Sequence, residues 1–232
     1  MLVAAAICPC PPLLVPEVAV GAAGELDGLR AACEEAVGAV LAAGPELLVV
    51  VGPGPKGGVW TEGGAGTFRG YGVPVDVRLP SGGVEGPELA PSLTVGAWLL
   101  ERAATALPTH AVAVPEDAPT ARLLGLGEGL AELADRVGLL VLGGGSARRS
   151  VKAPGYYDER AEAYDAELAK ALGSADLAAL EALDPGLAAE LMVDGRAPWQ
   201  VLAGAARGTA LTARLSHDEA PYGVGYLVAS WG

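Results

Sequence analysis

Apolar residues fall along this chain in two rhythms. Short unbroken runs occur at MLVAAAI (1–7), ELLVVVGP (46–53), HAVAVP (110–115) and GLLVLGGG (138–145). Each is too short for a helix and most are closed by Pro or Gly, so they read as strands covered on both faces. Between them the spacing lengthens to every fourth residue. Over 25–43, Leu29, Cys33, Val37 and Leu41 form one stripe, joined by Leu26, Ala36 and Val40, and Gly44-Pro45 ends it. A second helix is predicted at about 92–107, with Val95, Leu99, Ala103 and Leu107 on one face, and a third at 120–136. Residues 157–206 are almost all helical, in three or four short pieces separated by Gly173, Asp184-Pro185 and Ala197-Pro198. VPVDVRL (73–79) alternates as a half-exposed strand should, and the glycine-rich stretch 54–70 reads as a long surface loop. TALTARL (209–215) and VGYLVASW (224–231) are spaced as a hairpin.

Strands alternating with helices imply a single α/β domain over residues 1–232. Its sheet should be mostly parallel, flanked by helices, with antiparallel C-terminal strands. Ligands of such sheets sit outside the carboxyl ends of the strands. The loops at 8–12, 52–58 and 143–150 are therefore expected to meet at one end of the sheet.

Composition narrows the partners. Half the residues are apolar but only 5% are aromatic, which suits helices lying close on a sheet of small aliphatic side chains. A net charge of -13 argues against nucleic acid and against anionic membrane surfaces, both of which need clustered Lys and Arg. No apolar run approaches the roughly 18 residues of a membrane span. No basic segment precedes MLVAAAI, so no signal peptide is expected. Three cysteines at irregular spacing are no disulfide framework. A soluble, cytoplasmic protein is the expectation.

Few motifs carry chemistry. GPGPKG (52–57) matches the spacing of a dinucleotide-binding turn, but its prolines and the following GGVWTEGGAG leave no helix to face a pyrophosphate. There is no Gly-Lys-Ser/Thr and no G-x-S-x-G. LGGGSARRS (142–150) has two readings of equal weight. Its glycines could admit an anionic ligand bound by Ser146, Arg148 and Arg149, or it could be a tight turn with solvated arginines. His110 should lie at the sheet end opposite the strand carboxyl ends. His217, in SHDEAPYG (216–223) beside Asp218 and Glu219, reads as a loop residue, with metal binding or proton transfer as the alternative. Cys33 falls in a core stripe. Cys8 and Cys10 flank Pro9, and in an extended segment both face one way, as a soft-metal site or a reactive thiol would require.

The whole chain resembles a family. An N-terminal strand running into PCPPLLVPEV looks like the Pro-His-Pro-Pro opening of the class III extradiol ring-cleavage dioxygenases, in their catalytic LigB-like chain, and of their Memo-like relatives. LLVVVGPGP, VLGGGSARRS, the stretch from YYDERAEAYDAEL to PWQVLAGA, and APYGVGYLVASW continue the parallel. The resemblance implies non-haem Fe(II) held by two His and one carboxylate, with a further His as acid/base. Carried onto this chain, the first ligand falls on Cys10, the second within Gly52–Pro55, the acid/base near Arg148, and the carboxylate nearest Glu219. Three histidines are needed and the chain has two, neither at a matching position. The expectation is a divergent member without Fe(II) that binds a small anionic ligand or a protein partner. A thiol- or metal-dependent enzyme centred on Cys10, with Zn as the metal and His217 or Glu219 assisting, is the second reading. A purely structural component comes third and an active dioxygenase last. If an arginine faces Cys10, its thiol should be acidified relative to Cys33.

Overall fold

The structure, a computed structural model, describes residues 1–80 and 87–232. The four unbroken apolar runs become β1 (Leu2–Cys8), β2 (Leu47–Pro53), β6 (Thr109–Val114) and β7 (Val137–Leu142). They pair in parallel in the spatial order β6-β2-β7-β1. β9 (Tyr226–Trp231) adds antiparallel to β1, and β8 (Ala213–Glu219) pairs antiparallel with β9. On the far side, β3 (Gly58–Trp60) pairs antiparallel with β6, completing seven strands. This is the expected mixed α/β architecture.

Both faces of the sheet are covered, which is why the central strands show no polar alternation. Val49, Val51, Leu139 and Val141 point into one core. That core is closed by α4 (Thr120–Ala131), α5 (Arg160–Ser174), α6 (Leu177–Glu181), α7 (Pro185–Glu190) and α8 (Arg196–Ala206). Leu48, Val50, Leu140 and Leu142 point the other way, into a core with α2 (Asp27–Ala42) and α3 (Pro91–Arg102). A short α1 (Pro16–Ala19) precedes α2. No helix among the described residues is long and apolar enough to cross a membrane.

Several boundaries differ from expectation, each for a local reason. The stretch 54–70 is not one loop: besides β3 it holds β4 (Ala65–Thr67), whose partner β5 (Asp76–Arg78) is all that is strand within 73–79. These two strands form a separate small sheet; the alternation at 73–79 is real, with Val73 and Val75 half-buried, Val77 and Leu79 buried and Pro74, Asp76 and Arg78 exposed, but only its middle is paired as strand. α3 stops at Arg102, because Ala104 adopts a left-handed backbone and leaves Leu107 outside the helix. α4 ends at Ala131, short of 136. α5 runs through Gly173 and ends at Ala175, again left-handed. Asp184 caps α7, its carboxylate accepting from the Leu187 N–H at 2.7 Å. Ala197-Pro198 separates nothing and instead lies in the first turn of α8, where a missing proline N–H costs no hydrogen bond. The largest shift is β8, expected at 209–215. It runs to Glu219, so His217, Asp218 and Glu219 belong to an edge strand, where charges are tolerated because only one side is paired.

Candidate functional site

The parallel arrangement brings the carboxyl ends of β1, β2, β6 and β7 to one end of the molecule, as predicted. The Gly143 N–H donates to the Cys8 carbonyl at 3.0 Å, and the Gly54 N–H to that of Val114 at 3.0 Å. A cavity of about 480 Å³ opens there, within the size range of sites that take small ligands. Pro9, Cys10, Pro11 and Pro12 form one wall, because three prolines forbid β1 from continuing and hold the segment rigid. Glu116 stands at the rim just after β6, and Gly144, Gly145 and Ala147 follow β7. The segment joining α7 to α8 contributes Met192, Val193 and Asp194, and the approach to β9 contributes Val224 and Tyr226. The loop 52–58 shares this end of the sheet without lining the cavity, since the chain turns aside there to form β3.

Asp194 is the central polar group. Its carboxylate accepts the Gly144 N–H at 2.5 Å, and the Gly195 N–H donates back to the Gly144 carbonyl at 3.2 Å, locking the two loops together. Burial pushes the Asp194 carboxyl up to about 6; the Gly144 hydrogen bond opposes this and Glu116 adds to it. Burial, followed by Asp194 and Glu116, also pushes the Cys10 thiol well above its ordinary value. The condition for an acidified thiol, an arginine facing Cys10, is not met: the charges facing Cys10 are negative. Tyr226 is 4% exposed and lines the cavity, and its hydroxyl makes no hydrogen bond to another described residue. Burial, with Tyr222, Asp194 and Cys10, pushes this phenol up to about 12.

The expected anion-binding residues do not line the cavity. Ser146 is fully buried and gives both its N–H and its hydroxyl to Asp165 at 2.8 Å. Arg149 pairs with the same carboxylate at 3.2 Å and with Glu162 at 3.8 Å. Arg148 pairs with Asp158 at 3.5 Å. The run thus stitches the glycine loop to α5. With acidic residues in such excess, both arginines of the run meet a carboxylate close by. His217 and Glu219 are 3.8 Å apart on β8, away from the cavity, and His110 lies near the start of β6, at the opposite end of the sheet. Cys8 is buried, and the neighbouring Cys33 together with burial raises the Cys8 thiol; only Cys10 lines the cavity.

These residues do not fit an Fe(II) centre of two His and one carboxylate. The donors in the cavity are a thiol that holds its proton and two carboxylates, and neither imidazole lies near. Among the described residues no three His, Cys, Asp or Glu side chains are grouped to hold a metal ion. Sequence reasoning missed Glu116, Asp194 and Tyr226, which come from two connections and the first residue of β9, separated by 78 and 32 residues of chain. The one usable signal was position: Glu116 directly follows an apolar strand.

The raised Asp194 carboxyl predicts a pH effect. Its folded value of about 6 lies above the unfolded value near 3.9, so the folded chain holds this proton more tightly. Its stabilising contribution is present below about pH 4 and lost as pH rises through 6. Asp194→Asn should therefore gain about 2 kcal/mol against the parent at pH 7.5 relative to pH 4. Urea unfolding of both proteins at both pH values measures this, and an equal difference at the two would refute it.

Comparison with known proteins places the fold. No family model matches the chain, and no curated protein matches it. Among solved structures it is similar to the crystal structure of uncharacterized protein JW3007 from Escherichia coli K12, with a TM-score of 0.56 and 16% identity over 99% of this chain and 100% of that one. The architecture is shared end to end.

Proposed function

We propose that this protein is a divergent relative of the extradiol ring-cleavage enzymes that binds a small molecule at the carboxyl end of its sheet and does not cleave aromatic rings. One observation carries the reading: a cavity stands at the end where α/β sheets bind ligands, and its polar groups are Cys10, Glu116, Asp194 and Tyr226, with no imidazole. A fold can persist after its site residues have changed. The residues also weigh against a small anion, because Arg148 and Arg149 are engaged elsewhere and the cavity presents carboxylates. A Cys10-centred enzyme is the lesser reading, since burial, and after it the neighbouring carboxylates, raise the thiol and the nucleophile is the thiolate.

Protein purified without a chelating tag should carry iron far below one equivalent and form no ring-opened product from protocatechuate or other catechols in air. Elemental analysis and the absorbance of ring-cleavage products measure the two. Near-equimolar iron together with product would overturn the proposal.

A further inference from the structure

We infer that the cavity selects a primary amine: an ammonium group bound at Asp194 and Tyr226, with a compact apolar body lying against the proline wall. The inference rests on the ligand-binding reading above and names the ligand class.

The polar groups divide by sign. Asp194 and Glu116 are the only charged side chains on the cavity wall among the described residues, and both are acidic. Asp194 keeps one hydrogen bond, from Gly144, to its Oδ1; a carboxylate has acceptor capacity for several more. Tyr226 supplies an independent observation. The Tyr226 side chain is 4% exposed, its hydroxyl has no protein hydrogen-bond partner among the described residues, and it lines the same cavity as Asp194. Its oxygen can accept a hydrogen bond, and an ammonium has three N–H groups to give. Asp194 supplies the counter-charge, Tyr226 an acceptor, and Glu116 at the rim attracts the cation as it enters. Pro9, Pro11, Pro12, Val193 and Val224 offer apolar surface without a further charge.

Three probes of one shape separate the possibilities: cyclohexylmethylamine, cyclohexylmethanol and cyclohexanecarboxylate. Titration calorimetry of the full-length protein at pH 7.5 and low salt should find the amine bound about tenfold or more tighter than the alcohol, and the carboxylate weakest. The bound amine should slow alkylation of Cys10, which shares the cavity. Asp194→Asn keeps an oxygen for the Gly144 N–H, so the loops stay joined, but amine affinity should fall about tenfold while the alcohol is unaffected. Tyr226→Phe should weaken the amine by about three- to tenfold, and Glu116→Gln, at the rim, should slow its association at low salt. If alcohol and amine bind alike, the amine inference falls and the ligand-pocket reading stands. Tightest binding of the carboxylate overturns the inference in the same way. If no probe binds and Cys10 is never protected, both fall.

Discussion

Gly204→Ala is expected to destabilise the protein by about 3 kcal/mol, the upper end of the usual cost of overpacking. α4 and α8 touch backbone to backbone. A Cβ on Gly204 would stand 2.1 Å from the Leu124 carbonyl oxygen, and one on Gly127 would stand 2.0 Å from that of Val201. Neither neighbour is a flexible side chain that could swing aside, so the helices themselves must separate. The contrast lies within the same helix pair. Gly129, on α4, has nothing within 4 Å of its Cβ position, and Gly129→Ala should gain about 0.5–1 kcal/mol from helix propensity alone. Urea unfolding of the two variants side by side gives opposite signs; equal midpoints would show that the helices are not packed this closely.

Arg196→Met is the second large effect, a loss of about 2–4 kcal/mol from unpaired buried acceptors. Arg196 is 1% exposed and has no carboxylate within ion-pair distance among the described residues. Its guanidinium donates to the carbonyls of Glu116 and Ala118, the latter at 3.0 Å, and to Gln200 at 2.8 Å. Gln200 in turn donates to the carbonyls of Glu181 and Leu183. One side chain thereby fastens the β6–α4 connection, which carries Glu116, to α8. Burial pulls this guanidinium below its ordinary range, so methionine relieves a desolvation cost while stranding three acceptors. The acceptors win, because each left unpaired costs about 1–3 kcal/mol. Arg196→Lys keeps the charge but not the planar fork and should fall between. A methionine variant as stable as the parent in thermal unfolding would mean that desolvation dominates.

Both variants probe contacts that no local pattern announces. Four apolar runs marked the parallel centre of the sheet, because a strand covered on both faces has no choice but to be apolar throughout. The helix at 25–43 was equally legible, since its stripe of Leu29, Cys33 and Val37 records one buried face. Edges were not. β3 and β8 are short or charged strands paired on one side only, and what makes them strands is the neighbour that offers its backbone, not their own pattern. Left-handed residues such as Ala104 and Ala175 end helices without the glycine that would announce the stop.

For the candidate site, the sequence by itself determined the end of the sheet and one wall: an apolar strand that meets Pro9, Pro11 and Pro12 must stop, and Cys10 must lie in that rigid turn. Only the tertiary structure decided the sign of the cavity. Ser146, Arg148 and Arg149 looked like an anion site because their sequence neighbours carry no acid, but Asp165, Asp158 and Glu162 reach them in space. Asp194, in the α7–α8 connection, and Tyr226, at the start of β9, are each inconspicuous in their own segment and are brought together on one cavity wall by the fold. A charge acts through distance in space, and local sequence records only the neighbours along the chain.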